Sequence, residues 1–311
     1  MTAADRQPPG GSAWTERPER SNLAILRLMV WISLKLGRPI GRLVLHGIVA
    51  YYLMFAPSAR RASRAYLRRA LGRPPTLADI YRHLLAFASC IHDRFYLLND
   101  RFDLFDIDIE GVDVISGAMA GGRGVLLIGA HLGSFEVMRA LGRSRTDYPV
   151  SMMMYEQNAR KINATLAAIN PAAVQDIIPL GRMESMLLAK DKLDAGHLVG
   201  MLADRGLGGD PTRDIDFLGA PAPFPLGPFR VAAMLRRPVL FMTGLHLGGN
   251  RYRACFEPLA DFTNVERGSR DAAIETAQRA YVARLEHHCR TAPYNWFNFF
   301  DFWHVDQKAP Q

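Results

Sequence analysis

From Phe102 onward the chain switches repeatedly between two hydrophobic periods, and this switching decides the fold class. FDLFDIDIEG (102–111), GVLLIGA (124–130), PVSMMMY (149–155), DIIPL (176–180), HLVGMLA (197–203) and RRPVLFMTGLHL (236–247) read as strands. Between most of them lie stretches with helical spacing, among them NARKINATLAAIN (158–170), MESMLLAKDKLDAG (183–196) and LGPFRVAAMLRR (226–237). Strands that alternate with helices of this length predict an α/β fold in which helices flank a central sheet. RYRACFEP follows GLHLGGN directly and reads as a hairpin, so the sheet is expected to be mixed and largely parallel. A long polar helix over about 267–289 and the aromatic run NWFNFFDFW (295–303) follow, and no internal repeat is evident.

The N-terminal third reads differently. The chain carries a net charge of +8, yet residues 1–75 alone hold 13 Lys/Arg against Asp5, Glu16 and Glu19, a net of +10. Any partner attracted by positive charge therefore meets this end, either an anionic lipid surface or an acidic carrier protein. No nucleic-acid partner is expected. Residues 1–21 are polar and rich in Pro and Gly, without the apolar core of a signal peptide, and predict a disordered tail. Two apolar segments follow, 23–36 and 43–59, separated by GRPIGR; the second holds about the minimum length for a bilayer span and carries His46. Arginines flank it on both sides, which favours an anchor at the cytoplasmic face of a membrane over a clean crossing. The expected organisation is a tail (1–21), a helical membrane-associating region (22–100) and an α/β domain (101–311). Cys90, Cys255 and Cys289 have neither metal-ligand spacing nor a disulfide pattern and read as buried thiols.

GVLLIGAHLGSFEVMRALG (124–142) carries the candidate chemistry. His131 follows a buried strand, at the end where α/β sheets place ligands, and Glu136 lies five positions on. Gly133 and Ser134 can turn the chain into a helix, with Ser134 as N-cap and Glu136 in the first turn. From there the carboxylate could fold back onto the imidazole, fixing its tautomer and stabilising the imidazolium formed when His131 removes a proton from an alcohol. The backbone N–H groups of Gly133 and Ser134 could hold a tetrahedral oxyanion. Two other readings stand beside this one. The rhythm suits a degenerate dinucleotide loop at Gly129–Ser134, although His131 fills a position where that fingerprint needs glycine. Alternatively, His131 is a satisfied core histidine beside a helix-start glutamate in a non-catalytic membrane-peripheral protein.

With a basic membrane-directed N-terminus, a strand followed by H-x4-E, and the later blocks MLADRGLGG and RRPVLFMTG, the chain resembles the lysophospholipid acyltransferase superfamily. Within it, residues 23–303 look most like the bacterial lipid A late acyltransferases. The resemblance implies a membrane-associated acyltransferase that moves an acyl group from an acyl carrier protein or coenzyme A thioester to a hydroxyl of a lipid or glycolipid. It implies His131 as general base, Glu136 as its orienting acid, and Asp204 with Arg205 as positioning residues, with Pro238 in the last apolar block. No metal and no cofactor are expected. Where that branch usually has tyrosine then arginine, this chain has Tyr155 and Glu156, with Arg160 the nearest arginine for substrate binding. Its basic closing cluster is replaced by NWFNFFDFW, an ending similar to relatives of the aryl-polyene-cluster type.

Overall fold

The computed structural model describes residues 23–138, 149–155, 177–180, 183–206 and 210–303. Three helices come first: α1 (Leu23–Phe55), α2 (Pro57–Leu71) and α3 (Leu77–Leu97). The two apolar segments expected at 23–36 and 43–59 lie on this one α1, broken at Gly37 (φ 83°, ψ 167°) ahead of Pro39, and the second segment runs over a further break at Ala56 into α2. Gly37 can take that φ because it has no Cβ to clash, and Pro39 favours an extended Arg38 before it, so sequence and bend agree. The start of α3 is a reciprocal cap: Thr76 accepts from the Asp79 N–H, and Asp79 accepts from the Thr76 N–H.

Then come β1 (Asp106–Glu110), α4 (Val112–Ala118), β2 (Val125–Gly129), β3 (Val150–Tyr155), β4 (Ile177–Leu180), α5 (Met183–Asp194), β5 (Leu198–Leu202), β6 (Thr212–Phe217), β7 (Ala220–Pro225), α6 (Gly227–Leu235), β8 (Pro238–Gly248), β9 (Arg251–Asp261) and α7 (Arg270–Thr291). Seven strands form one sheet in the order β1-β9-β8-β2-β5-β3-β4. The run from β8 to β4 is parallel, β8 and β9 pair antiparallel as the predicted hairpin, and β1 lies parallel to β9. The mixed, largely parallel α/β sheet is the architecture anticipated from the periodicity. The helix expected over 158–170 falls outside the described residues, as does the tail expected over 1–21.

Every residue of β2 is buried, because both faces of the sheet are covered. Leu126 and Ile128 face a core shared with Val49 of α1, Tyr66 and Leu67 of α2, Ile80 and Leu84 of α3, Tyr281 of α7 and Trp296. Val125 and Leu127 face a second core with Ile115, Met119, Val137 and Met138. The helical region and the sheet therefore share one interior. One element was not anticipated: β6 and β7 form a separate two-stranded sheet. Pro221, Pro223 and Pro225 on β7 disguise it as a loop in the sequence. A ladder tolerates three prolines of one parity when their missing N–H groups fall on its free edge.

Candidate active site

The site is built where two neighbouring parallel strands stop. β2 and β5 pair with Gly129 opposite Leu202, so the residues that follow them emerge side by side from the same end of the sheet. Ala203 donates its N–H to Gly129 O (3.0 Å), which also accepts the Tyr281 hydroxyl (3.0 Å). Two residues beyond the paired strand ends, His131 and Asp204 meet: Nδ1 of His131 lies 2.8 Å from Asp204 Oδ1, and the His131 backbone N–H donates to Asp204 Oδ2 at 3.1 Å.

The carboxylate has further partners from the C-terminal segment. Trp296 Nε1 and Asn298 Nδ2 donate to the same Oδ2 at 3.0 and 3.1 Å. Asp204, Trp296 and Asn298 are all buried, whereas the His131 side chain is one-third exposed. Burial works to raise the carboxyl pKa of Asp204, but His131, Arg205 and the hydrogen bonds outweigh it, and the group titrates well below the usual carboxylate range. The imidazole moves the other way: burial and the nearby Arg205 lower its pKa against the opposing pull of Asp204. A neutral imidazole facing an ionised carboxylate carries its proton on Nδ1, so the basic lone pair is on Nε2.

Arg205 sits in the same cluster. Its Nε donates to Asn298 Oδ1, its NH2 donates to Phe297 O at 2.7 Å, and its guanidinium lies 5.4 Å from the Phe300 ring centre. Burial lowers its pKa to about 10, so it stays charged. The C-terminal segment is stitched to the histidine loop by Phe297 N–H to His131 O (2.7 Å), Gly133 N–H to Asn295 O (2.8 Å) and a bridge between Leu132 and Trp296.

Several expectations change here. Glu136 does fall in the first helical turn, which begins at Phe135, but its carboxylate lies 2.7 Å from Arg94 Nε of α3, while His131 turns to Asp204. The carboxylate in contact with the imidazole is that of Asp204, not Glu136. Ser134 precedes the helix as an N-cap would, yet its buried hydroxyl makes no hydrogen bond. The N–H groups of Gly133 and Ser134, expected to face an oxyanion, are donated here to Asn295 O and to Gly244 O (2.7 Å). Gly133 adopts φ 75°, and a Cβ there would lie 2.0 Å from Gly244 O, which explains the glycine by close approach of two backbones. Arg160 and Glu156 lie outside the described residues. Pro238 opens β8, away from the His131 cluster.

Trp296 and Asn298 were missed by sequence reading. Their one signal was the placement of an indole and an amide among residues otherwise suited to a core. Cys90, Cys255 and Cys289 are free and buried, as read from their spacing. Among the described residues no group of three or more His, Cys, Asp or Glu converges as metal ligands do.

No curated protein matches the chain. The sequence does match, over residues 22–304, the family described as bacterial lipid A biosynthesis acyltransferase, which removes the dinucleotide and non-catalytic readings. With a histidine set on a buried carboxylate at the strand ends and that match spanning nearly all of its length, the chain belongs to the bacterial lipid A biosynthesis acyltransferase family, a family of acyl-transferring enzymes.

Proposed function

We propose that His131 and Asp204 form the base of an acyltransferase that moves an acyl chain from an acyl carrier protein or coenzyme A thioester to a hydroxyl of a membrane lipid or glycolipid. The single observation that carries this reading is the 2.8 Å contact between His131 Nδ1 and a buried, ionised Asp204. Nε2 takes the proton of the acceptor hydroxyl as its oxygen attacks the thioester carbonyl carbon. The new C–O bond forms, the carbonyl electron pair moves onto oxygen, and the resulting oxyanion re-forms the carbonyl by breaking the C–S bond. The imidazolium, stabilised by Asp204, then returns its proton to the departing thiolate. A thioester is already activated, so base catalysis and positioning suffice without an acyl-enzyme.

In this reading the protein works at the cytoplasmic face of the bacterial inner membrane, and the exposed apolar residues of α1 support a membrane-facing surface. Leu43, Tyr51, Tyr52, Met54 and Phe55 are exposed there, beside the arginines of α2. No single described helix is long and apolar enough to cross a bilayer; the pair Gly37–Phe55 and Pro57–Leu71, bent by 94°, passes a test of length and composition together.

The test is turnover of acyl thioesters with lipid acceptors by the full-length protein. His131→Ala is expected to lose about 10²- to 10⁴-fold in kcat. Asp204→Asn should lose a comparable factor, and the double variant little more, because the two act as one unit. Glu136→Gln, which breaks the ion pair with Arg94, is expected to lower the melting temperature far more than the rate. Turnover that survives His131→Ala would overturn the assignment.

A further inference from the structure

Asp204 and Arg205 are adjacent in sequence, opposite in charge and enclosed in the same cluster, yet among the described residues Arg205 makes no ion pair with a carboxylate. Asn298 lies between them. Its amide nitrogen donates to Asp204 Oδ2 at 3.1 Å while its amide oxygen accepts from Arg205 Nε. Only this orientation of the amide satisfies both neighbours, since a flip would set oxygen against carboxylate and NH2 against guanidinium.

Resting on the acyl-transfer reading above, we propose that Asn298 is a positioning residue that keeps these two charges apart: it commits Asp204 to His131 and leaves Arg205 as a separate cation for the negative charge that develops on the reacting carbonyl oxygen. Two observations support it. The carboxylate is fully occupied without Arg205, because Oδ1 serves His131 Nδ1 and Oδ2 accepts from the His131 N–H, Trp296 and Asn298. The N–H groups of Gly133 and Ser134 are spent on backbone carbonyls, so charge on a substrate oxygen needs another donor. Arg205 is held from one side by Asn298 and by Phe297 O, whose own N–H holds His131 O, so the cation and the base share one scaffold.

Besides burial, Arg205 and Asp204 set the charge on His131, and the other titratable groups on the neighbouring elements are engaged elsewhere or held neutral. Asp204 and Arg205 follow β5; Tyr281 and Cys289 stand on α7 behind Asp204, both held neutral by burial. Glu136 follows β2 and is paired with Arg94 of α3, and His246 of β8 is fixed through its backbone N–H to Asn295.

The experiment measures the His131 pKa by NMR titration of isotope-labelled full-length protein, alongside turnover of an acyl thioester, in Asn298→Leu, Arg205→Met and the double variant. In Asn298→Leu, Arg205 is free to pair with Asp204, so the imidazolium loses support. The His131 pKa is expected to fall by about one unit, and turnover to fall roughly 10- to 100-fold. Arg205→Met alone should raise the pKa, since a repelling charge is gone, and still lose turnover. The double variant should recover a pKa at or above the wild-type value without recovering turnover. A scaffold role alone predicts no such reversal. The proposal is overturned if Asn298→Leu leaves the pKa unchanged, or if the lowered value persists in the double variant. If Asn298→Leu does not fold, Arg205→Met decides, and an unchanged or lowered pKa there overturns the proposal. A wild-type protein without thioester turnover would refute the acyl-transfer reading and the catalytic role given to Arg205, while the NMR series would still judge the separation of charges.

Discussion

At the scale of single residues, the histidine loop depends on how closely backbones can approach. Gly133 runs against Gly244, whose own Cβ position is closed by Ser134 O at 2.2 Å. Gly133→Ala should therefore cost more than the ~1–2 kcal/mol of a left-handed backbone alone, because the loop must also move away from β8. Chemical denaturation should show this loss, and turnover should fall with it as His131 shifts from Asp204; a variant of wild-type stability would mean that the two backbones are not in contact. The same turn explains the fate of Glu136. Once Gly133 reverses the chain, the helix starts toward α3, and the carboxylate meets Arg94 before it can reach the imidazole. Spacing alone could place both groups at a strand end, but the direction of the turn lay with a glycine conformation and with the segment packed over it.

At the scale of elements, α3 ties the helical region to the site. His83, fully buried on α3, lies 2.8 Å from Ser63 Oγ of α2 and 2.8 Å from Trp296 O. The carbonyl can only accept, so Nε2 carries the proton and Nδ1 accepts from Ser63. Burial lowers the His83 pKa to about 4, against the weaker support of the Trp296 carbonyl. The sign of the linkage follows. Between the unfolded value near 6.5 and about 4, the unfolded chain binds a proton that the folded one refuses, so stability is intact above 6.5 and is lost as pH falls through that window. The loss attributable to His83 is on the order of 3 kcal/mol. Urea melts at pH 7 and pH 4 should show a smaller pH-dependent loss in His83→Gln than in wild type; equal losses would show that His83 does not carry the effect. The helical character of this region was legible from its periodicity. That α3 would reach across to Trp296 was not, because the contact joins positions 213 residues apart.

At the scale of the whole molecule, charge and apolar surface are segregated at the α1–α2 elbow. Arg61, Arg64 and Arg68 share an exposed helical face of α2, and among the described residues none has a carboxylate partner. The exposed Tyr51, Tyr52, Met54 and Phe55 stand just before them. Each arginine near an anionic bilayer contributes about 1 kcal/mol, so replacing all three by glutamine should weaken partition onto phosphatidylglycerol-containing vesicles about 100-fold at low salt. Replacing Tyr51, Tyr52 and Phe55 by serine should instead reduce the salt-resistant fraction in vesicle flotation. Unchanged partition in both variants would remove the elbow as the membrane-facing surface.

By itself the sequence determined the fold class, the hairpin that makes the sheet mixed, and the strand ends on which His131 and Asp204 stand, because these follow from local periodicity and turn chemistry. Tertiary structure decided which acid meets His131. That pairing depends on β2 and β5 being neighbours with Gly129 opposite Leu202, although 73 residues separate His131 from Asp204. It also depends on a C-terminal segment returning across the strand ends to place Trp296 and Asn298 on the same carboxylate. Periodicity reports which face of an element is buried; it carries no record of which elements lie side by side, and the partners of a buried charge are set by that adjacency.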